Sequence, residues 1–295
     1  MKLIIPMSGQ GSRFKEVGYT DPKPLIKVEG KPIIAHVLDM FPGITDVVFI
    51  CNKDHLQSTD MESVLKNLRP ESTIIAIESH KKGPVYAVAQ AFGHIDDTED
   101  IMISYCDFTQ VWDFEKFKKE VAVRNVAGAV PSYTGFHPHL LHKGLYGGIL
   151  ADENQMLLDY KEKHSFTENP EDSYHSGGAY YFASGALVKK YFTQLLESNE
   201  TLNGEAYVSM AYYFMMRDNL PIYVPTVDHF MQWGTPEDLE EYEAWSRKIH
   251  HEEQREKALT AIPLERESSV TIPYEENSPE FLKSYNYWQT YLKKK

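Results

Sequence analysis

Through its first 130 residues the chain alternates short, almost wholly apolar runs with stretches whose apolar residues recur every three or four positions. The runs predict strands over 2–6, 46–51, 73–78, 101–105 and 126–131. The periodic stretches predict helices over 32–41, 61–68, 85–92 and 114–121. Strands with no polar face, separated by helices, predict a mostly parallel sheet covered on both sides. Such open sheets place ligands beyond the carboxyl ends of their strands. From about Tyr146 the texture changes. YGGILADENQMLLDYKEK predicts two strands around a turn at 152–154, a further strand is expected over 175–182, and helices over 186–196 and 206–217. The expected fold class is α/β: a Rossmann-like, mostly parallel central sheet with a smaller β-rich lobe and a cleft between them.

Thr235 before PEDLEEYEAW predicts a helix start, with Thr as cap, Pro at the first helical position and two acids in the first turn. Beyond His250 a charged segment leads to an aromatic tail (Phe281, Tyr285, Tyr287, Trp288, Tyr291), expected to be a helix packed on the body or on a second copy of the chain. A homo-oligomer is thus left open, and the Tyr/Met-rich run at 206–216 is expected in the core or at such a dimer face. The organisation predicted is a half with ligand-binding loops at 1–131, a β-rich half at 132–245 and a helical extension at 246–295.

The 295 residues carry a net charge of −13, which excludes a general basic field for nucleic acid. The charge is uneven: residues 1–31 are +3 and the remainder −16. Cys51 and Cys106 each end an apolar run, so buried strand-end thiols are expected rather than a disulfide framework or a zinc site. No stretch approaches a membrane span, and the start is broken by Gly too soon for a signal peptide, so a cytoplasmic protein without a membrane partner is expected.

The chemistry-bearing stretch is IIPMSGQGSRF, residues 4–14, followed by DPKPLI, residues 21–26. A strand runs into a loop of Met7, Ser8, Gly9, Gly11 and Ser12, whose backbone N–H groups can approach an anion because glycine admits positive φ. Arg13 and Lys23 add mobile positive charge, which suits a triphosphate. A P-loop would end in Gly-Lys-Ser/Thr, and this loop ends Gly11-Ser12-Arg13; a dinucleotide fingerprint would have a third Gly where Phe14 stands.

Here the chain resembles the sugar-phosphate nucleotidyltransferases, or nucleotide-sugar pyrophosphorylases. Their signature, a strand, then G-x-G-x-R-[FL], then a P-K-x-L step, is matched by Gly9, Gly11, Arg13, Phe14, Pro22, Lys23 and Leu25. KGPVYAVAQA resembles the helix bordering the nucleotide base, through Gly83. IMISYCDF resembles the strand that ends on the metal-binding Asp, through Asp107, with Ser104 expected to bind nucleotide. YKEKH resembles the step that reaches the sugar and its phosphate, on Glu162 and Lys163. HSGGAYYF resembles the strand lining the sugar pocket, through Gly177 and Gly178, and QWGTPEDLEEY the step closing the site. The resemblance implies Mg²⁺ as cofactor, and a nucleoside triphosphate and a small phosphorylated acceptor as partners. Where family members commonly carry a second metal-binding Asp, this chain has Gln232. Asp107 is therefore expected to hold the metal with phosphate oxygens and water, with Asp228, four residues upstream of Gln232, as the second candidate ligand.

The implied reaction transfers a nucleotidyl group to a sugar phosphate and releases pyrophosphate, as in making precursors of surface polysaccharides. Arg13 would hold the β/γ-phosphates, Lys23 the α-phosphate, Lys163 the acceptor's phosphate and Glu162 its hydroxyls. Three other readings stay open: a cytidylyltransferase acting on a phosphorylated alcohol or amino-alcohol, a glycosyltransferase, which should show Asp-x-Asp where Cys106-Asp107-Phe108 stands, and a non-catalytic sugar-nucleotide sensor. His137, His139 and His142 are expected on a solvated or acceptor-facing loop, and the run His80, Lys81, Lys82 either touches nucleotide or is solvated.

Overall fold

A computed structural model of the chain describes residues 1–142, 146–257 and 272–294. β1 (Lys2–Met7) is buried along all but its first residue and leads through a short helix, α1 (Ser12–Glu16), and a 3₁₀ turn, Lys23–Leu25, to a two-residue hairpin, β2 (Lys27–Val28) with β3 (Lys31–Pro32). The next units are α2 (Ile33–Asp39), β4 (Val47–Asn52), α3 (Lys53–Ser58), α4 (Met61–Leu68), β5 (Thr73–Ile77), α5 (Pro84–Ala89) and β6 (Ile101–Ser104). β4 and β6 flank β1 in parallel, and β5 lies parallel outside β4. Successive β1 residues face opposite layers. Leu3, Ile5 and Met7 pack with Ile33, Val37 and Leu38, whereas Ile4 packs with Val85, Val88 and Val188. Each such side chain removed from water contributes about 1.5–3 kcal/mol, which is why the strands carry no polar face.

After β6 the chain turns into β7 (Phe108–Val111), then α6 (Phe114–Arg124), β8 (Gly128–Ala129) and β9 (Ser132–Tyr133). The predicted hairpin is β10 (Gly148–Ala151) with β11 (Leu157–Lys161). The single strand expected over 175–182 is two strands in two sheets. β12 (Tyr174–Ser176) joins the antiparallel order β11-β10-β12-β9, and β13 (Ala179–Phe182) joins the central sheet antiparallel to β6. The break falls at Gly177-Gly178, where Gly178 has φ +98° and a Cβ would come 3.2 Å from the Tyr105 ring. α7 (Gly185–Ser198) follows. The helix expected from Ala206 starts later, as α8 (Ala211–Arg217), because the Ala206 backbone is taken by another segment: its N–H donates to Lys82 O and its carbonyl accepts from Val85 N–H. β14 (Ile222–Tyr223) completes a central sheet of order β14-β8-β13-β6-β1-β4-β5, and β15 (His229–Gln232) pairs with β7 in a separate two-stranded ribbon.

α9 (Pro236–Lys257) begins as predicted. Thr235 Oγ1 accepts from Asp238 N–H, and Asp238 Oδ2 accepts from Thr235 N–H, a reciprocal capping box. Tyr242 and Ser246 of α9 both donate to Glu29 in the β2–β3 turn. α10 (Pro279–Lys294) packs on the body, burying Phe281, Tyr287, Trp288 and Tyr291, and Tyr287 donates its hydroxyl proton to Phe230 O. Among the described residues no helix is long and apolar enough to cross a membrane. Cys51 is buried and Cys106 partly so, and burial pushes both thiols up to about 12.

Two histidines of the 136–142 segment, His137 and His139, are not solvated. His137 and His139 are buried against Tyr133, which stacks on Phe230 at 4.6 Å. His137 Nδ1 donates to Gly135 O, and Nε2 accepts from Phe230 N–H, so the ring is neutral and fully used. Tyr133 and His139 share a 2.8 Å hydrogen bond. Of His142 only the backbone is described.

Burial lowers the His137 pKa to about 3 from an ordinary 6.5. Because the folded value lies below the unfolded one, the unfolded chain binds the extra proton. This stabilisation is complete above pH ~6.5 and is lost toward pH ~3, at about 1.4 kcal/mol per pH unit. Urea unfolding at stepped pH should show that loss. His137→Gln should remove up to one proton's worth of the slope, and an unchanged slope would refute the account.

Candidate active site

The sheet order reverses at β1, with β4 and β5 on one side and β6 on the other. The carboxyl ends of β1 and β6 therefore open a crevice of the kind in which α/β sheets bind ligands. The 8–11 loop lies on its floor. Gly11, at φ 64°, caps α1 in a left-handed conformation and accepts from Phe14 and Lys15 N–H, and the buried Phe14 ring pins the turn. Two side-chain bridges stitch the loop to residues 79–82. Gln10 Nε2 donates to Ser79 Oγ at 2.7 Å, and Ser8 Oγ lies 3.0 Å from His80 Nε2. His80 Nδ1 accepts from Lys82 N–H, so Nε2 carries the proton and donates to Ser8. Burial, then the charge of Lys82, lowers the His80 pKa and keeps that tautomer neutral.

Three distant segments meet at the opposite rim. Lys23, from the 3₁₀ turn, donates to Asp107 Oδ2 at 2.9 Å and to Gly234 O at 3.1 Å. Asp107 is held against this rim because Trp233 N–H donates to its carbonyl at 2.8 Å, next to the Phe108–Gln232 pair of the β7–β15 ribbon. A Cβ on Gly234 would lie 3.7 Å from Asp107 Oδ2 and 3.8 Å from Asp238 Oδ2. Two carboxylates thus face one glycine. Burial raises the Asp238 carboxyl pKa, against hydrogen bonds from Thr235 and Gln232 and with help from the charge of Asp107. Sequence reasoning took Asp238 only as a first-turn acid; its place three residues after the Thr235 cap was the available signal.

On the β-rich side, Glu162 accepts from Tyr160 OH at 3.0 Å and from the Ser209 hydroxyl. Lys163 beside it is exposed, at φ 50°. Burial raises the pKa of both Tyr146 and Tyr207, and the charge of the exposed Arg13 opposes the rise in each. Asp238 and Asp107 add to the rise at Tyr146, and Glu205 and Glu162 at Tyr207. Arg13 therefore stands in the electrostatic reach of both walls of the crevice.

The structure does not bring every expected residue there. Asp228 is exposed at the far end of the β7–β15 ribbon, where its N–H donates to Val111 O; the strand separates it from Asp107, so it cannot share a metal with Asp107. Ser104 is fully buried within the central sheet and its hydroxyl donates to Tyr105 O. The Met7 side chain lies in the core. Gly83, at φ +88°, is pressed on Ala206, where a Cβ would come within 2.6 Å of backbone atoms, and Gly177 and Gly178 form the break between sheets. Gly9 has open space around it, and Ser12 lines a polar cavity of about 340 Å³ with Gln10, Asn52, His55 and Ser79.

For a magnesium ion the donor set is suitable but incomplete. The Lys23 ammonium is already cradled by a carboxylate and a carbonyl oxygen, the hard donors Mg²⁺ prefers. Among the described residues no three His, Cys, Asp or Glu converge, so phosphate oxygens and water would fill the remaining positions.

A family model of the MobA-like NTP transferase domain matches residues 3–171. The chain belongs to that family. Bifunctional protein GlmU of Methanocaldococcus jannaschii is 22% identical over 241 residues, covering 81% of this chain and 52% of that protein, so the chain spans about half the length of this relative. Among solved structures, a nucleoside-diphosphate-sugar pyrophosphorylase from Vibrio cholerae RC9 matches with a TM-score of 0.64 at 18% identity, covering 80% of this chain and 97% of that one. The inositol-1-phosphate CTP transferase from T. maritima matches at 0.62 and 15%, covering 80% and 90%. These likenesses establish the Rossmann-like fold with its mostly parallel sheet. In this MobA-like chain the family match takes in Arg13, Lys23, Asp107, Glu162 and Lys163, and ends before Gly234 and Asp238.

The contact of Gly83 with Ala206 can be tested directly. Gly83→Ala should cost about 2–4 kcal/mol through backbone strain and overpacking, read as a lower urea midpoint. A change below about 0.5 kcal/mol would contradict the contact.

Proposed function

We propose that the chain is a nucleotidyltransferase that moves a nucleotidyl group from a nucleoside triphosphate to a sugar phosphate, releasing pyrophosphate and making an activated sugar for surface polysaccharide synthesis. The observation that carries this is Lys23 and Asp107 meeting at the rim of a glycine loop that also presents Arg13. The acceptor phosphate has a second pKa near ~6 and is largely dianionic at neutral pH. It attacks the α-phosphorus without a general base, and none is needed from the chain. The task is to hold two anions in line and neutralise charge as it moves to the leaving group.

Lys23 leaves its pairing with Asp107 for the α-phosphate, and the freed carboxylate faces the phosphates. Arg13, on the preceding helix α1, takes the β- and γ-phosphates and then the departing pyrophosphate. Lys163 holds the acceptor's phosphate, and Glu162, fixed by Tyr160 and Ser209, accepts from its hydroxyls. Bound Mg²⁺, held by Asp107, phosphate oxygens and water, would supply further positive charge along the triphosphate. A second reading, a cytidylyltransferase acting on a phosphorylated alcohol, is favoured by the likeness to the inositol-1-phosphate CTP transferase.

A thermal-shift panel of CTP, GTP, UTP, dTTP and ATP with Mg²⁺ should raise the melting temperature for at least one nucleotide by mass action; a flat response to all five rejects the proposal. In a pyrophosphate-release assay, Arg13→Ala and Lys23→Ala should each lower kcat by about 10²–10³-fold. Asp228→Asn should stay within about twofold of wild type, since its position is on the far end of the ribbon. A glycosyltransferase or a sensor would bind nucleotide yet release no pyrophosphate with any acceptor.

A further inference from the structure

Gln232 stands where the family resemblance calls for a metal-binding carboxylate, and its surroundings assign it different work. Its Nε2 donates to Asp238 Oδ1, while Thr235 N–H donates to Asp238 Oδ2. Each carboxylate oxygen has thus received one hydrogen bond and keeps acceptor capacity. The two donors fix the plane of the carboxylate so that Oδ2 and Asp107 Oδ2 lie on the same glycine, Gly234, at 3.8 and 3.7 Å from its Cβ position. Two further observations show that this spot favours a cation. The Lys23 ammonium is seated between Asp107 Oδ2 and Gly234 O. Gln232 Oε1, on the same amide that donates to Asp238, is buried with no hydrogen-bond partner among the described residues.

Building on the nucleotidyltransferase reading, we propose that Asp238 supplies the second negative charge of the divalent-cation site, and that Gln232 is its positioning residue. The carboxylate missing from position 232 comes instead from the first turn of α9, one turn further along the chain, and the neutral amide aims it. The capping box and the cation site then share one side chain: the hydrogen bonds that start the helix also hold the charge that faces Asp107.

The test is Mn²⁺ binding to the full chain, followed by the loss of the free-Mn²⁺ EPR signal, with Mn²⁺ alone and again with inorganic pyrophosphate present. Asp107→Asn serves as the benchmark. Asp238→Asn keeps an oxygen for Thr235 N–H and removes the charge, and it should weaken Mn²⁺ about 10-fold or more, as loss of metal-site groups commonly does. Gln232→Leu, which leaves the cap untouched, should weaken it about 3–10-fold. Asp238→Asn combined with Gln232→Asp should return it to within about threefold of wild type. Wild-type affinity in Asp238→Asn overturns the proposal and leaves Asp238 as a helix cap. If Asp238→Asn does not fold, wild-type affinity in Gln232→Leu overturns it equally. If Asp107→Asn is also unchanged, or wild type takes up no Mn²⁺ in either arm, the metal site of the proposed function fails as well, and the two failures are told apart.

Discussion

The Lys23 ammonium joins parts of the chain that lie far apart in sequence. It lies 84 residues from Asp107 and 211 from Gly234, and it bonds to both. For that to occur, the glycine loop must deliver the 3₁₀ turn to the mouth of the sheet, β6 must end where Asp107 can turn outward, and the β7–β15 ribbon must bring Trp233 against the Asp107 carbonyl. A partly buried ammonium without oxygen partners would carry a large desolvation cost. The arrangement of the crevice is therefore a set of constraints on how one cation is satisfied, and a triphosphate is the ligand that could replace those oxygens with its own.

The glycines that matter act through geometry at two kinds of place. Gly11 and Gly178 adopt φ values that other residues resist, one to start α1 beneath the loop and one to carry the chain from the small sheet into the central sheet. Gly83 and Gly234 act through the space they leave. Gly83 lets the 82–85 segment lie on Ala206, and Gly234 keeps the gap between Asp107 and Asp238 open.

What could be read from the chain followed from periodicity and local spacing. β1, β4 and β6 are almost wholly apolar because they are buried on both faces, β5 is a half-buried edge strand, and the Thr235 cap announced α9. The loop with Arg13 and Lys23 was visible because its residues are close in sequence. What was not visible depended on pairing between distant segments. The run HSGGAYYF at 175–182 reads as one strand whether one sheet or two receives it, and the pair of glycines was the hint at the division. The 206–217 stretch has helical spacing throughout, yet Ala206 is bonded to Lys82 and Val85, and Val208–Met210 form a 3₁₀ turn before α8. Asp228 and Asp238 are both acids near Gln232 in sequence; which of them reaches Asp107 is decided by the direction of β15. The histidines at 137 and 139 look like a polar loop until Tyr133, Phe230 and α10 close over them.

The span between Lys23 and Gly234 also sets an order in time. Chains emerge from the ribosome at about 5–20 residues per second, so the 211 residues separating the two partners take roughly 10–40 s to appear. During that interval the parallel sheet β5-β4-β1-β6 can form, since its strands and helices are already made, and the basic loop is left with no rim opposite it. The crevice is assembled last, when β15 closes on β7. The basic loop and the rim that faces it can therefore meet only after residue 234 has been made.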